Sequence, residues 1–306
     1  MGSPGPGMPY GPGMDARPRR RALLLGSLGV AAAGAATAVE TGLLPGRSTL
    51  FRALHLDGSD GRVPDVTPVP STRGSFVSEA RGGTRVGWQV AVPAGHDTLP
   101  VVVVLHGRGA DHRSAFDGML GLDRFLAVAL DAGVPPFAVA SMDGGNGYWH
   151  PRADGTDAGA MVSEEFLPLL THRGLDTGRL GFLGWSMGGF GSLRLAGLLG
   201  AGKVRAVAAE SPALFRSFAE SAPGAFDDAA DLADATVFGR QRSLDRIAVR
   251  IDCGEGDPFY DATRDYRDGF AVAPAGGFQL GGHTPGYWRR MAPAQLRFLG
   301  RALNQG

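Results

Sequence analysis

The amino-acid sequence predicts an α/β protein with a mostly parallel central sheet and helices on both faces. Apolar runs of strand length alternate with segments of helical periodicity from about residue 99 to the end of the chain, and this alternation is typical of such architectures. The strongest strand pattern is LPVVVVL at 99–105, which is apolar without interruption and suits a strand buried on both faces. Apolar residues make up 43% of the chain, which is enough for a sizeable core.

The other elements are predicted in chain order from the same patterns. Alternating polarity favours early strands at 76–79 and 85–92, and apolar residues at helical spacing favour helices at 122–132 and 161–170. Residues 212–244 interrupt the alternation and, being rich in Ala, Asp and Phe, predict a small helical insertion over one end of the sheet. The remaining strands are expected at 137–141, 180–184, 204–208 and 247–251, and the remaining helices at Met187–Leu199 and 288–303.

The first 38 residues predict an export signal of the twin-arginine type. Arg20 and Arg21 precede an uncharged, weakly apolar stretch of about 18 residues, and residues 36–38 (ATA) form a small-x-small site for a signal peptidase. We therefore expect export to the cell envelope or exterior through the twin-arginine machinery. The stretch is at the short limit for spanning a bilayer, so retention by an uncleaved N-terminal segment is the alternative.

The rest of the chain divides into a linker and one folded domain. Residues 39–74 mix Gly, Pro, Ser and Asp with little periodicity and predict a flexible linker, whereas 75–306 carry the strand and helix patterns. The 30 basic residues balance 30 acidic ones, which argues against a nucleic-acid partner. Cys253 is the single cysteine, so an intrachain disulfide and a cysteine-based metal cluster are excluded.

The segment GWSMG at 184–188 fits the pattern G-x-S-x-G that surrounds the nucleophile of many serine hydrolases. In a chain with 49 glycines the pattern alone is weak, because about 0.4 matches are expected by chance. The setting strengthens it, since Ser186 falls between a predicted strand and a predicted helix, where a sharp turn needs small neighbours. A serine nucleophile also needs a base later in the chain, and His283 is the only histidine after Ser186.

The acid that orients this base should lie between the nucleophile and the histidine. Asp252, Glu255 and Asp257 all follow the last predicted strand. We favour Asp257, which lies several residues beyond the strand in a glycine-bounded turn, because it is freer to reach His283. Asp252 and Glu255 remain alternatives, as does Glu210 at the end of the preceding strand.

An oxyanion hole in this arrangement needs two backbone amides, one after the nucleophile and one from the loop after an earlier strand. Met187 follows Ser186 and supplies the first amide. The segment 106–108 (HGR) follows the apolar run at 99–105, and we expect the Arg108 amide to be the second. The Arg108 side chain is a separate matter, with a solvated loop charge as the simplest interpretation.

Five sequence blocks occur in order along the chain: LPVVVVLHGRG (99–109), MDGGNGYWH (142–150), GWSMGGFG (184–191), DCGEGDPF (252–259) and GGHTPGYW (281–288). Together they resemble the esterase branch of the α/β-hydrolase superfamily, over about residues 75–303. S-formylglutathione hydrolases and antigen 85-type mycolyltransferases are more distant relatives. The resemblance implies an α/β-hydrolase catalytic domain with a Ser–Asp–His acyl-transfer site and without a metal or cofactor.

The resemblance also places the block that ends at residue 150 beside the active site. The candidate substrate-binding residues are therefore Tyr148, Trp149 and His150, together with His106 and Trp185 next to the oxyanion and nucleophile positions. Packing in the core is the alternative for the aromatic residues.

Together these observations favour an exported serine esterase that acts on a small-molecule, lipid or carbohydrate ester. An acyltransferase with a sugar or lipid alcohol as acceptor is the alternative, and a catalytically silent envelope-binding protein is a third hypothesis. Asp257-Pro258 stands where the mycolyltransferases place a Glu, and a long acyl-chain insertion is not obvious, so the sequence argues against trehalose mycolyl transfer. We expect a monomer.

Overall fold

The computed structural model describes residues 1, 2, 47–54, 56–96 and 98–305. Ser48–Gly306 groups as one compact unit. The predicted export signal, apart from its first two residues, lies outside the described residues, as does the first part of the predicted linker. None of the helices in the described ranges is both long and apolar enough to cross a lipid bilayer.

The described part of the predicted linker contains regular structure. A short helix, α1, covers Arg47–Ala53, and the side chain of Phe51 within it is buried. The first strand begins at Ser71, four residues before the predicted start of the domain. One buried aromatic ring leaves no periodic pattern in a segment rich in Gly and Pro, so the sequence pattern did not indicate this helix.

The strands and helices that follow alternate along the chain as the sequence predicts. The strands are β1 (Ser71–Ser78), β2 (Thr84–Ala91), β3 (Pro100–Leu105), β4 (Ala138–Met142), β5 (Asp176–Trp185), β6 (Val204–Glu210), β7 (Ala248–Gly254) and β8 (Ala275–Gln279). The helices are α2 (Leu122–Asp131), α3 (158–172), α4 (Met187–Leu199), α5 (Ala229–Ala235), α6 (Tyr260–Asp268) and α7 (Pro285–Leu303). Helix α3 has three consecutive parts, which are Ala158–Ala160, a π-helical turn at Met161–Phe166, and Leu167–His172.

The eight strands form one sheet in the order β1-β2-β4-β3-β5-β6-β7-β8. The β1–β2 and β2–β4 pairs are antiparallel, and every pair from β4 to β8 is parallel. This arrangement confirms the predicted mostly parallel sheet. The six strands of the parallel part, β3 to β8, end at the same edge of the sheet, which is where such folds place their functional loops.

The central strand β3 shows how the sheet is covered on both faces. Val101 and Val103 belong to the core on one face, whereas Val102 and Val104 belong to the core on the other. Helix α4 contributes apolar residues to the first core, and α2 and α7 contribute to the second. The continuous apolar run at 99–105 follows from this double burial.

Two elements near the C-terminus were not predicted from the sequence. Helix α6 has few apolar residues, and the edge strand β8 has the sequence AGGFQ, with positive φ angles at Gly276 and Gly277. Neither segment shows the apolar pattern on which strand and helix predictions rest. The guanidinium of Arg267 stabilises the β7–β8 pair instead, because it donates hydrogen bonds to backbone oxygens of Ile251 and Ala275.

The insertion at 212–244 is less helical than its composition predicts. Within it, regular helix is limited to α5 and to the short 3-10 turns Phe218–Glu220 and Gln241–Leu244. Its conformation is set by tertiary contacts, since Phe226 is buried in the core and Arg152 donates to the backbone of residues 224 and 225. Composition alone carries no information about such contacts.

Candidate active site

Ser186 lies in a sharp turn between β5 and α4. Its backbone has φ 55° and ψ −122°, a conformation that costs a residue with a side chain roughly 1–3 kcal/mol and persists only where neighbours enforce it. Gly184 and Gly188 make the turn possible, because a methyl group on Gly184 would collide with the Gly188 carbonyl and one on Gly188 with the Leu105 carbonyl. The Ser186 amide donates to the Glu210 oxygen at 3.0 Å, which ties the turn to β6.

Three side chains from three loops form a hydrogen-bonded line at the carboxyl edge of the sheet. The Oγ of Ser186 is 2.9 Å from Nε2 of His283, and Nδ1 of His283 is 2.8 Å from Oδ2 of Asp257. A carboxylate can only accept, so Nδ1 carries the proton and Nε2 is free to accept one from Ser186. The His283 side chain is 25% exposed while the Asp257 side chain is fully buried, so substrate can approach the base but not the acid.

The structure distinguishes the four candidate acids by position. Asp257 reaches His283 and is fixed by the Phe259 amide, which donates to its other carboxylate oxygen at 2.8 Å. Asp252 instead forms a two-pronged ion pair with Arg250 at 2.7 and 2.8 Å, within the sheet. Asp257 thus occupies the position at Nδ1 of His283 that Glu255 or Glu210 would need as the acid.

Glu210 is a buried carboxyl group beneath this line. It pairs in register with Trp185 on one side and Asp252 on the other. Burial raises the pKa of Glu210 well above its usual range, and the charge of nearby Asp252 raises it further. Its Oε1 has no hydrogen-bond partner among the described residues. Both effects favour the protonated, neutral form of the Glu210 side chain.

The two backbone amides predicted for the oxyanion hole belong to segments that adjoin Ser186. Met187 is the first residue of α4, where an amide has no acceptor within its own helix. The Arg108 amide has no acceptor among the described residues either. The loop at Arg108 passes close to the nucleophile, since a methyl group on Gly107 would lie 3.3 Å from the Ser186 Cβ, and the Gly109 amide ties it to the Asn146 side chain at 2.8 Å.

Solved structures with this arrangement of strands and helices are numerous. A ferulic acid esterase is 19% identical with a TM-score of 0.63, over 76% of this chain and 98% of its own. FphF, a fluorophosphonate-binding serine hydrolase of Staphylococcus aureus, is 18% identical with a TM-score of 0.60, over 78% and 100%. An S-formylglutathione hydrolase from Agrobacterium tumefaciens is 17% identical with a TM-score of 0.59, over 80% and 100%. No protein-family model and no curated protein matches the sequence.

These structures are matched over nearly their whole length, and they share the eight-stranded sheet's architecture with the chain. The chain has the α/β-hydrolase fold. The superfamily resemblance inferred from the five sequence blocks is thereby confirmed at the level of the fold. Ser186 lies in the turn between β5 and α4 of this fold.

Three of the expected substrate-binding residues, His106, Trp149 and His150, are completely buried. Nε2 of His106 accepts from the Gly144 amide at 2.9 Å, so its Nδ1 donates to the Gly107 oxygen at 2.8 Å. The contacts that the structure gives these three side chains are packing and backbone hydrogen bonds beside the loops.

Trp149 and His150 tie neighbouring elements together. The ring of Trp149 lies against the bare faces of Gly144 and Gly191, where side chains would collide with it. The ring nitrogens of His150 lie 2.8 Å from the Pro151 oxygen and 3.1 Å from the Ala225 oxygen. His150 thus holds the insertion against the sheet edge, which is a structural role next to the site.

Tyr148 and Trp185, the other two expected substrate-binding residues, are also buried. Tyr148 packs among the rings of Phe190, Phe215 and Phe226, with centroid distances of 6.2, 6.1 and 5.8 Å. Burial raises the pKa of Tyr148, and the nearby positive charge of Arg108 opposes that rise. The Arg108 side chain itself is exposed.

Sequence reasoning missed the two aromatic rings that flank the base. Phe259 and Trp288 lie edge-on to the His283 ring, with centroid distances of 5.3 and 5.1 Å, and Phe215 packs on Phe259 at 5.5 Å. Phe259 and Trp288 occur in the sequence blocks 252–259 and 281–288, close in sequence to Asp257 and His283. This closeness is the sequence signal that could have identified them as neighbours of His283.

Proposed function

We propose that the protein is a serine hydrolase that cleaves carboxylic esters through an acyl-enzyme. The observation that carries the proposal is the hydrogen-bonded line from Ser186 through His283 to the buried carboxylate of Asp257. Such a line on a strained turn beside two amides suits acyl transfer. The names of the structural neighbours, which include esterases and serine hydrolases, support the same chemistry.

In the proposed reaction the Oγ of Ser186 attacks the ester carbonyl carbon as its proton passes to Nε2 of His283. The amides of Met187 and Arg108 stabilise the oxyanion that forms, and Asp257 stabilises the charged imidazole. Collapse of this intermediate breaks the bond to the alcohol, which leaves with the proton from His283. Water then attacks the acyl-enzyme with the same base, and the acid is released.

The side of the site next to His283 is aromatic. Phe259 and Trp288 contact the His283 ring, and Phe215 contacts Phe259. Aromatic walls favour apolar or aromatic substituents over charged ones. We therefore propose esters of apolar or aromatic acids as substrates. A feruloyl ester is the natural aromatic test, since a structural neighbour is a ferulic acid esterase.

The proposal is tested with p-nitrophenyl esters of increasing acyl length and a methyl ferulate substrate, with and without acceptor alcohols. We expect turnover of at least one ester by the wild type and a loss of several orders of magnitude in Ser186→Ala, since residual activity in such sites comes only from binding and the oxyanion hole. Wild-type turnover in Ser186→Ala would contradict the nucleophile. A new ester product whose amount grows with the concentration of an added alcohol would instead indicate an acyltransferase. Binding of an ester without turnover would favour the envelope-binding hypothesis.

We also propose that the chain is exported by the twin-arginine route, on the strength of Arg20-Arg21 and the weakly apolar stretch that follows. The test is replacement of both arginines by lysine. We expect uncut precursor to accumulate in the cytoplasm while the charge of the segment is unchanged. Unaltered export of the double variant would exclude this route and favour a general secretory signal or a permanent anchor.

A further inference from the structure

The chain from Phe51 to Gly61, apart from position 55, which lies outside the described residues, crosses the two loops that carry the acid and the base. We call this segment the strap. Its last residue is hydrogen-bonded to the base side, since the Gly61 amide donates to the Gly286 oxygen at 2.8 Å. The sequence predicted only a flexible linker at these positions.

The beginning of the strap packs beside the acid. The Phe51 side chain is only 4% exposed, and a methyl group on Gly256 would come within 2.8 Å of the Phe51 Cβ. Gly256 immediately precedes Asp257. The Gly256 amide in turn donates to the Gly281 oxygen at 2.8 Å, so Phe51 supports the point where the acid loop touches the base loop.

The later part of the strap follows the base loop. The Asp57 carboxylate lies 3.3 Å from the position of a methyl group on Gly282, the residue before His283. The Asp60 carboxylate fills the bare face of Gly286 at the start of α7. The contact at Gly286 depends on the absence of a side chain there, and the contact at Gly282 leaves little room for one, so the loop and the strap pack closely.

One side chain of α7 ties the strap and the base loop together. Arg290 donates from Nη1 to the Ser59 oxygen at 2.5 Å and from Nη2 to the Leu280 oxygen. Leu280 is in the loop that leads to His283, and Ser59 is in the strap. Arg290 therefore links the strap to the loop that carries His283.

The two loops need such support because of their composition. Glycines stand at 254 and 256 before the acid and at 281 and 282 before the base. They permit the close approach of the loops, since a methyl group on Gly254 would collide with the Gly281 carbonyl, but glycine also leaves a backbone with many accessible conformations. A base must stay within about 2.6–3.2 Å of its nucleophile, and a shift of about 1 Å can lower the rate by about 10²-fold.

We propose that the strap positions the acid and base loops, and that Phe51 and Arg290 are positioning residues for the Ser186–His283–Asp257 line. The inference rests on the proposed function for its kinetic readout, but the geometry of the His283 ring can be followed without turnover. The proposal also implies that the strap, within the predicted linker, contributes to the geometry of the site.

The experiment compares Phe51→Ala with Leu54→Ala, a matched control three residues away whose side chain is 53% exposed. We expect Phe51→Ala to lower kcat by about 10- to 100-fold with KM changed by less than about threefold, because loop displacement affects the base and not the substrate contacts. We expect Leu54→Ala to behave as wild type and Phe51→Leu to recover most of the loss. A folded Phe51→Ala variant with wild-type kcat would overturn the proposal.

NMR of the His283 Nδ1 proton, assigned with His283→Gln, gives the readout that does not depend on turnover. We expect the signal of the Asp257-bonded proton to broaden or shift in Phe51→Ala and to stay unchanged in Leu54→Ala. If Phe51→Ala does not fold, Arg290→Ala is measured in its place. We expect the same lowered kcat and the same altered Nδ1 proton signal, and a folded Arg290→Ala variant with wild-type kcat would overturn the proposal. If the wild type cleaves no ester, the proposed function fails while this NMR comparison still decides the role of the strap.

Discussion

The nucleophile turn and the acid–base loops are built in opposite ways. The turn at Ser186 is enclosed within one strand–turn–helix unit, in which Gly184 packs against Gly188, and Gly188 packs against the Leu105 carbonyl of the neighbouring strand β3. The loops of Asp257 and His283 follow β7 and the edge strand β8 and are held by contacts from distant parts of the chain, including Phe51 and Arg290.

This difference separates what a local motif can specify from what only tertiary contacts can specify. The five residues at 184–188 contain most of what the turn at Ser186 needs, so a change at either of its glycines should affect the whole fold. The acid and base depend on several weak contacts, so changes there should alter the rate while the protein stays folded. The predictions below test this division, from the largest expected effect to the smallest.

The largest effect is expected for Gly188→Ala in the nucleophile turn. The added methyl group would collide with the Leu105 carbonyl of β3, and backbone cannot yield as a flexible side chain can. We expect a destabilisation of more than about 4 kcal/mol, measured by urea unfolding, and little soluble protein. Gly202→Ala, where a methyl group meets no atom within 4 Å, is the control and should unfold as wild type. A stable Gly188→Ala protein would show that the turn is less constrained than its packing indicates.

Asp257→Asn should slow the reaction without unfolding the protein. An amide cannot hold the His283 ring in the required tautomer or stabilise its charge, and in serine hydrolases this substitution lowers kcat by about 10⁴-fold. Circular dichroism and the melting temperature should stay close to wild type. Activity within tenfold of wild type would move the acid to another carboxylate.

Asp252→Asn, five residues earlier, should give the reverse result. The substitution leaves the partly buried Arg250 without its ion-pair partner, and losing one member of such a pair destabilises by about 2–3 kcal/mol when allowance is made for partial exposure. We expect a melting temperature lower by about 5–10 °C and an unchanged rate per titrated active site. A lowered rate in the folded fraction would contradict a purely structural role.

Glu210→Gln should change the pH dependence of stability. Burial raises the pKa of Glu210 in the folded state above 4.5, its ordinary value, so the folded protein holds a proton that the unfolded chain releases. Stability conferred by this group is complete at low pH and is lost as pH rises from about 4.5 towards the folded pKa, by up to about 1.4 kcal/mol per pH unit. Glutamine does not ionise, so the variant's stability relative to wild type should rise with pH over this window. Urea unfolding at pH 4 to 8 measures it, and a difference that does not vary with pH would refute the assignment.

The smallest effect is expected for Cys253→Ala. The thiol is buried at the end of β7 near the acid loop, and burial raises the pKa of the Cys253 thiol well above its usual range. A protonated, buried thiol is a poor nucleophile, so we expect ester turnover within about twofold of wild type. Loss of turnover in a folded Cys253→Ala variant would give the thiol a role in the reaction.

The sequence predicted the parts of this molecule that local patterns encode. The apolar run at 99–105 specifies a doubly buried strand, and the structure confirms the mostly parallel sheet around it. The pairing of Ser186 with His283 follows from chain order in this fold, because His283 is the only histidine after Ser186.

The rest could not be predicted because it depends on contacts between distant residues. The burial of His106 and His150 follows from backbone partners at Gly144 and Ala225, which no periodicity indicates. The packing of Phe51 on Gly256 joins residues about 200 positions apart. A single aromatic residue in an irregular segment gives no pattern to detect.

The edge strand β8 has a consequence for how the protein loses activity on heating. It has five residues, two of them glycines with positive φ, its burial is incomplete, and one of its sides has no neighbouring strand in the sheet. Short, poorly buried edge segments open with less free energy than central strands, so amides of β8 should exchange with deuterium before those of β3. Because His283 follows β8, local opening there removes the base while the sheet remains intact. Heat inactivation should therefore begin at a lower temperature than the loss of secondary structure.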